Sequence, residues 1–291
     1  MAFRQTIRPL TSNLGAVAAV SIGAGLAYTY YKPKPTVFGS FNPTYLRLES
    51  TEDVSHNTKR LRFALPHPTD QTGLPLTSAL LTLSWPPGRL LPVARPYTPV
   101  SHAADAGHVD LLVKRYPGGA QSTHLHALAP GDSLAFVAAL PGFAWTPNRF
   151  GRIACVAGGA GVTPVFQLVQ GIVRDAADRT RVDVVVGVEA VGDAVMRGEL
   201  EGLERGAGGR VRVVYAVGRG GVEGMGEGWR EGRVTKELLE EVLGERGEEE
   251  TMVFVCGPPA MEEALTKRGG GKGGMGILEE LGYRKDQVYK F

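Results

Sequence analysis

The sequence predicts two consecutive domains, an antiparallel β-barrel and a doubly wound α/β domain with a parallel sheet, preceded by an N-terminal membrane anchor. Short alternating strands separated by turns predict the first domain, and buried strands that alternate with helices predict the second. We expect the anchor and its linker at residues 1–40, the barrel at 41–147 and the α/β domain at 148–291. A chain of 291 residues with 43% hydrophobic content is long enough for two cores.

Bulk composition narrows the function. Basic and acidic residues nearly balance, 32 against 30, so the net charge of +2 predicts no nucleic-acid partner. The two cysteines, Cys155 and Cys256, are too few for a disulfide framework, a zinc site or a cysteine-ligated iron–sulfur cluster. We therefore predict no metal site.

The N-terminal segment has the features of a membrane anchor. Arg4 and Arg8 precede an uncharged run at Leu10–Tyr31, and no acidic residue occurs before Glu49. That run has roughly the 20 residues that a helix needs to cross the hydrocarbon core. The pattern predicts a mitochondrial targeting segment with a single transmembrane anchor, in the outer membrane or on the intermembrane-space side. A cleaved secretory signal peptide and a disordered tail on a soluble protein are the alternatives.

The residues that follow the linker have the pattern of short antiparallel strands. Thr44–Phe63 alternates apolar and polar side chains, as half-buried strands do. Further strand patterns occupy Leu80–Ser84, Val109–Lys114 and Ser133–Val137, and proline and glycine turns separate them. Short strands at this spacing predict a small barrel or sandwich.

After Pro147 the pattern changes to buried strands that alternate with helices. The predicted strands are Ile153–Ala157, Val182–Val188, Val211–Val217 and Met252–Cys256, and the predicted helices are Thr163–Val173, Glu199–Arg205 and Thr235–Leu243. This alternation is typical of a parallel sheet built from βαβ units. Two glycine-dense stretches, Gly218–Gly232 and Arg268–Gly276, are predicted to be flexible loops.

A first motif, Arg95-Pro96-Tyr97-Thr98-Pro99-Val100-Ser101, combines the side chains that a flavin dinucleotide requires. Arginine binds a pyrophosphate with a forked pair of hydrogen bonds, and tyrosine offers an aromatic face to the ring system. The hydroxyls of Thr98 and Ser101 can donate to the flavin ring nitrogen and to phosphate. An ordinary surface strand with a proline-stiffened turn also explains these residues, so the motif alone leaves both interpretations open.

A second motif, Pro117-Gly118-Gly119-Ala120-Gln121-Ser122, precedes a helical pattern. Backbone amides at a glycine turn that opens a helix bind anions readily. Ser122 stands where a helix N-cap is expected. A simple hairpin turn with a capping serine is the alternative.

A third motif, Gly158-Gly159-Ala160-Gly161-Val162-Thr163-Pro164, joins the first predicted parallel strand to its helix. The pyrophosphate of a nicotinamide dinucleotide requires this context, because glycines allow close backbone approach and the helix N-terminus favours negative charge. Pro164 suits the first turn of the helix, where it removes no needed hydrogen bond.

A fourth motif, Cys256-Gly257-Pro258-Pro259-Ala260-Met261, ends the last predicted strand. Ligands in open α/β sheets bind beyond the carboxyl ends of the strands, so we expect Cys256 at the crevice. No histidine or lysine immediately flanks Cys256 to lower the pKa of its thiol, which argues against a nucleophile. A buried cysteine before a turn is the alternative.

The four motifs in this order resemble the NADH–cytochrome b5 reductase family, within the ferredoxin–NADP reductase superfamily, and most closely its fungal mitochondrial members. The likeness runs from about Tyr45 to the C-terminus and includes the tail Gly276–Phe291. It implies a barrel that binds FAD and an α/β domain that binds NADH. The implied reaction is hydride transfer from the nicotinamide to FAD, followed by single-electron transfer to a haem acceptor such as cytochrome b5.

The resemblance also implies roles for individual residues. It places FAD against Arg95, Pro96, Tyr97, Thr98, Ser101, Gly118, Gly119 and Ser122. It places the nicotinamide nucleotide against Lys114, Cys256, Gly257, Pro258 and Pro259. Gly159, Gly161, Thr163 and Pro164 are expected between the two cofactors, and Phe291 is also expected to bind a cofactor. The implied catalytic positions, close to the transferred hydride, are Thr98, Thr163 and Cys256.

One departure from the family pattern bears on the choice between NADH and NADPH. Family members often carry an aspartate after the third parallel strand that helps to favour NADH, and Gly218 occupies that position here. A nearby arginine, Arg219, is able to accept a 2′-phosphate, so the sequence does not exclude NADPH.

A second function remains open on the sequence alone. A membrane-anchored flavoprotein that helps assembly or import, with incidental reductase activity, would bind the same cofactors. A reductase component that feeds an oxygenase is disfavoured, because the chain lacks the cysteines for an iron–sulfur cluster.

Overall fold

A six-stranded antiparallel sheet forms the first part of the fold. The computed structural model describes residues 37–38, 43–243, 251–266 and 276–291. The strands are β1 (Thr44–Ser55), β2 (Thr58–Ala64), β3 (Ala79–Ser84), β4 (Val93–Tyr97), β5 (His108–Lys114) and β6 (Ser133–Leu140). They pair in the order β4-β3-β6-β1-β2-β5, and helix α1 (Ala120–Ala127) connects β5 to β6.

The two ends of this sheet come together. Pro99, just after β4, forms an antiparallel bridge with Leu111 of β5, and the backbone N–H of Val100 donates to the carbonyl of Asp110 at 2.9 Å. Contact between the first and last strands of the order curls the sheet towards a barrel, in line with the predicted class. Its buried apolar core includes Leu46, Leu48, Leu61, Phe63, Leu80, Val109, Leu125 and Phe136.

Strand β6 is longer than the sequence predicts. It continues past Val137 to Leu140, pairing Leu81 with Ala138 and Thr82 with Phe136. Val137 is therefore an extra residue in the ladder, which is a β-bulge. The prediction ended the strand at Val137 because a bulge interrupts the alternation of faces on which the prediction depended.

A six-stranded parallel sheet forms the second part. Its strands are β7 (Arg152–Gly158), β8 (Arg181–Val188), β9 (Val211–Val217), β10 (Trp229–Glu231), β11 (Thr251–Cys256) and β12 (Val288–Lys290), in the order β10-β9-β8-β7-β11-β12. The helices are α2 (Val162–Arg174), α3 (Arg197–Gly206), α4 (Lys236–Leu243), α5 (Pro259–Thr266) and α6 (Ile277–Glu280). Helices α2 and α3 belong to one apolar cluster, and α4 and α5 belong to another. Helices therefore cover both faces of the sheet, as the prediction of a doubly wound domain requires.

The glycine-dense stretch Gly218–Gly232 is not loop throughout, which corrects the prediction. It contains β10, which pairs in parallel with β9 at the edge of the sheet. Trp229 is only 6% exposed and stacks on Tyr215, with ring centroids 4.5 Å apart. The packing of Trp229 stabilises β10, although the high glycine content of this stretch predicts a loop. Of the second predicted loop, residues 268–275 lie outside the described residues.

The predicted anchor at Leu10–Tyr31 also lies outside the described residues. Within the described ranges, no helix has the length and apolar character needed to span a membrane.

Candidate active site

The first motif places an exposed arginine beside a half-buried tyrosine on β4. Arg95 is exposed, and its Nη1 donates to the carbonyl of Ala94 at 2.8 Å. Because the side chain is exposed, its remaining N–H groups are available to a pyrophosphate. Burial raises the pKa of Tyr97 to about 12, against the opposing effect of Arg95, so its phenol is neutral at physiological pH.

A buried chain of hydrogen bonds ties this motif to helix α1. The Thr82 hydroxyl donates to the carbonyl of Arg95 at 3.1 Å and accepts from Nε2 of Gln121 at 2.9 Å. The Ser84 hydroxyl donates to Oε1 of the same glutamine. The side chains of Thr82, Ser84 and Gln121, which form this network, are all buried. This network was not predicted from the sequence, although the glutamine inside the second motif is a signal that could have indicated it.

The second motif forms a tight turn that opens directly into α1. Gly118 has a φ of +71°, and a Cβ atom on Gly119 would lie 2.5 Å from the Oγ of Ser122. The first N–H groups of a helix lack intrahelical partners, so this turn keeps the donors that an anion requires.

Ser122 does not cap the helix, which corrects the sequence prediction. Helix α1 begins at Ala120 with Gly119 as its N-cap, so Ser122 lies inside the first turn. Its hydroxyl accepts from the N–H of Tyr116 and donates to the carbonyl of Gly119, each at 3.2 Å. The serine therefore closes the glycine turn upon itself. The helix begins earlier than predicted because the turn is complete at Gly119.

The third and fourth motifs are in direct contact. Residues Gly159–Gly161 form one 3₁₀ turn after β7, and α2 begins at Val162 with Pro164 in its first turn. A Cβ atom on Gly161 would lie 2.1 Å from the carbonyl oxygen of Cys256. A Cβ atom on Gly158 would lie 2.8 Å from the Cδ of Pro258. The glycine turn therefore packs against the carboxyl end of β11 without room for side chains.

The structure shows the hydrogen bonding of one candidate catalytic side chain, Thr163, and the protonation state of another, Cys256. The hydroxyl of Thr163 donates to the carbonyl of Ala160 at 3.1 Å and holds the glycine turn. Burial, with a smaller contribution from the nearby Glu262, raises the pKa of Cys256 to about 12. The thiol is therefore protonated at physiological pH, in agreement with the prediction that it is not a nucleophile.

The two domains meet at the end of β5, where residues of both line a narrow gap. Thr58, Leu112 and Lys114 line one side, and Gly159, Ala160, Asp193 and Val195 line the other. The Nζ atom of Lys114 lies 4.0 Å from Oδ1 of Asp193 and 3.9 Å from where a Cβ atom on Gly159 would stand. A lysine predicted to contact the nicotinamide nucleotide is thus beside the glycine turn predicted to bind it.

Further contacts join the motifs across the domains. Nε2 of Gln167, on α2, donates to the carbonyl of Pro99 at 3.3 Å and to the carbonyl of Ser78 at 3.2 Å. Cys256 raises the pKa of Tyr116, the residue before the second motif, although burial has the larger effect. All four motifs are therefore linked in one region of the molecule.

Two predicted site residues are held by backbone contacts. Ser101 Oγ accepts the backbone N–H of Asp110 at 3.0 Å, so part of its hydrogen-bonding capacity serves the barrel. The N–H of Phe291 donates to the carbonyl of Val255 at 3.1 Å, which places the C-terminal residue next to the end of β11. Its ring centroid is 5.8 Å from that of Phe254.

Comparison with known proteins identifies the family. An oxidoreductase FAD-binding domain family matches residues 45–145, and an oxidoreductase NAD-binding domain family matches residues 155–267. A protein of Pyricularia oryzae named NADH-cytochrome b5 reductase 2 is 43% identical over 253 residues, covering 84% of this chain and 75% of its own length. The protein of the same name from Emericella nidulans is 41% identical over 295 residues, covering 95% of this chain and 89% of its own length. The chain belongs to the NADH–cytochrome b5 reductase family.

Solved structures agree with this family assignment. The cytochrome b5 reductase domain of Ulva prolifera nitrate reductase superimposes with a TM-score of 0.76 at 26% identity, covering 88% of this chain and 100% of that domain. The CS-b5R domains of human Ncb5or share the fold, with a TM-score of 0.72 at 21% identity over 87% of this chain and 70% of that chain.

Family membership makes this chain an oxidoreductase with FAD and NADH as cofactors. The residues present fit both groups. Arg95 is exposed, the turn at Gly118 carries amides but no side chains, and the glycine turn after β7 is open towards Lys114. Because the relatives described above are named as reductases, the assembly-helper hypothesis gains no support from them.

Proposed function

We propose that this chain transfers a hydride from NADH to FAD and then passes single electrons to a haem acceptor of the cytochrome b5 type. The observation that carries the proposal is the approach of Lys114 in the barrel domain to Gly159 in the α/β domain, across the narrow gap where the two domains meet. The curated relatives named NADH-cytochrome b5 reductase 2 support cytochrome b5 as the acceptor class.

In this proposal the protein binds and orients, and it contributes no acid–base pair. Arg95 and the amides at the start of α1 hold the flavin pyrophosphate, while the glycine turn at Gly159–Gly161 holds that of the nicotinamide nucleotide. Bound FAD supplies what side chains lack, because a flavin accepts a hydride and releases electrons singly. Alignment of the two rings by rigid backbone is the main contribution of the protein to the rate.

We assign the predicted catalytic positions accordingly. Thr98, which follows β4, donates its hydroxyl to the flavin ring. Thr163 keeps the glycine turn in shape through its bond to Ala160. Cys256 packs against the nicotinamide as a neutral, polarisable thiol, because burial raises its pKa to about 12.

Steady-state kinetics with a panel of haem proteins tests the proposal. Purified protein is expected to be yellow, to be reduced by NADH in stopped-flow, and to reduce cytochrome b5 faster than cytochrome c or oxygen. Rapid flavin reduction combined with equally slow transfer to every haem protein would contradict the acceptor assignment. A flavin that NADH does not reduce would contradict the whole proposal.

We further propose that residues 1–40 attach the enzyme to a mitochondrial membrane, in the outer membrane or facing the intermembrane space. The uncharged run Leu10–Tyr31 between basic flanks supports this proposal. Residues 1–40 fused to a fluorescent protein are expected to co-fractionate with mitochondria and to resist alkaline carbonate extraction. Secretion of the fusion, or its release into the soluble fraction, would contradict the proposal.

A further inference from the structure

An ion pair lies just beyond the ends of strands β8 and β9. Its two residues belong to none of the four motifs and do not line the gap between the domains. The side chains of Glu189 and Arg219 pair with Oε1 and Nε 2.6 Å apart. Their backbones are also joined, since the N–H of Arg219 donates to the carbonyl of Glu189 at 2.7 Å. The side chains are 52% and 78% exposed, so both are accessible to a ligand.

The position of this pair in the sheet matches the one from which side chains contact the adenosine ribose of a dinucleotide in doubly wound folds. Strand β8 is the immediate neighbour of β7, whose end opens into the glycine turn, and Glu189 directly follows β8. In doubly wound folds, an acidic residue beyond the glycine turn hydrogen-bonds the ribose 2′-hydroxyl of NAD, whereas a nearby arginine accommodates the 2′-phosphate of NADP. Both residue types are present here, and they bind each other.

Gly218, next to Arg219, has no side chain to occupy the space near the carboxylate of Glu189. The heavy atoms nearest to a Cβ atom on Gly218 would be the carbonyl oxygens of Val188 and Glu189, at 3.6 and 3.7 Å, and Oε2 of Glu189, at 4.0 Å. The carboxylate of Glu189, just after β8, therefore reaches the space beside Gly218, just after β9, where there is no side chain.

We propose that Glu189 makes this enzyme select NADH over NADPH, by pairing with Arg219 and by placing negative charge where a 2′-phosphate would bind. The inference rests on the proposed function, in which NADH is the hydride donor. It predicts that removing the carboxylate frees Arg219 to bind a 2′-phosphate.

Nucleotide fragments test the proposal without hydride transfer. Dissociation constants of 5′-AMP and 2′,5′-ADP are measured by calorimetry on the flavin-loaded protein. Glu189→Gln is expected to tighten 2′,5′-ADP relative to 5′-AMP by about tenfold, since one repulsive charge is removed and one cation is released. Adding Arg219→Ala to Glu189→Gln is expected to remove the part of that gain that comes from the released cation, so the double variant should gain less than Glu189→Gln alone. The ratio of kcat/KM for NADPH to that for NADH is expected to rise in Glu189→Gln and to rise less in the double variant.

Glu241→Gln is the matched control. Glu241 pairs with Arg230 on the same domain at 2.5 Å and is 46% exposed, close to the exposure of Glu189. This control is expected to leave the fragment ratio within about twofold of the wild type. An unchanged ratio in Glu189→Gln, or a gain that Arg219→Ala does not reduce, would overturn the proposal. Failure of the proposed function would be seen in a different experiment, in which NADH does not reduce the flavin of the wild-type protein.

Discussion

Gly161 and the carbonyl of Cys256 are so close that a Cβ atom on the glycine would lie 2.1 Å from the carbonyl oxygen. The glycine has a φ of −64°, which every amino acid can adopt, so space rather than backbone conformation requires a glycine here. The contact joins the glycine turn after β7 to the end of β11, the two places where the nicotinamide nucleotide is predicted to bind. The two segments of this site are therefore positioned by direct backbone contact and not by side chains that could adjust.

Gly161→Ala should separate these two segments. The added methyl group must displace the end of β11, and overpacking of this kind costs about 1–3 kcal/mol. We expect a lower melting temperature and at least about tenfold slower flavin reduction by NADH, with FAD content preserved, because the change lies on the nucleotide side. Gly198→Ala on α3 is the control, since nothing lies within 4 Å of its Cβ position. Wild-type reduction kinetics in Gly161→Ala would show that the close contact is unnecessary.

Gln167→Leu should loosen the two domains. The substitution removes two hydrogen bonds from α2 to the carbonyls of Ser78 and Pro99, each worth about 1 kcal/mol. Differential scanning fluorimetry and stopped-flow should show a lower melting temperature and slower hydride transfer at unchanged FAD content. Gln170→Leu is a matched control on the same helix, because Gln170 is also 8% exposed and its Oε1 has no hydrogen-bond partner. Equal behaviour of the two variants would refute a specific role for Gln167.

Gln121→Leu should weaken flavin retention from inside the protein. The change leaves the buried hydroxyl of Ser84 without its acceptor, at a cost of about 1–3 kcal/mol. It also removes the amide donor of Thr82, whose hydroxyl keeps its bond to the carbonyl of Arg95. Because the network carries Arg95 and the start of α1, the ratio of flavin to protein after gel filtration should fall. The exposed Thr123, altered to alanine, is the control on the same helix. Full flavin occupancy in Gln121→Leu would mean that the network does not support the site.

Arg95→Ala should lower FAD affinity directly. Hydrogen bonds to charged groups contribute about 1.5–3 kcal/mol, which corresponds to about a tenfold to hundredfold increase in the dissociation constant of FAD. Arg89→Ala is the control, since Arg89 is an exposed arginine in the preceding loop. Titration of apoprotein with FAD, followed by quenching of flavin fluorescence, measures both variants. Equal affinity in Arg95→Ala and the wild type would remove Arg95 from the flavin site.

The thiol of Cys256 should react slowly below its shifted titration range. Burial raises its pKa from an ordinary value of 9.0 to about 12, so stability from the neutral thiol is present below pH 9 and is lost as the pH rises towards 12. At pH 8, alkylation by iodoacetamide should be slower by about a hundredfold or more in the native protein than in urea. Mass spectrometry of the Cys256 peptide measures both rates. Equal rates would show a reactive thiolate, contrary to the neutral role assigned to it.

Local patterns were sufficient for most of the fold. The strands at Val182–Val188 and Val211–Val217 and the helix after the third motif lie within one or two residues of their predicted bounds. Long apolar runs determine their own burial, so such elements are readable from neighbouring residues alone. β10 was missed because its order comes from Trp229 packing on Tyr215, which is distant in sequence.

The sequence by itself determined the four motifs, their order and the family, because those signals are carried by adjacent residues. Tertiary structure alone decided which motifs touch. The contact of Gly161 with Cys256 and the pairing of Glu189 with Arg219 join segments that the parallel sheet brings together. The hydrogen bond from Gln167 to Pro99 joins the two domains. The physical reason is that neighbours in a parallel sheet are separated along the chain by whole helices, so spacing in the sequence carries no record of their distance.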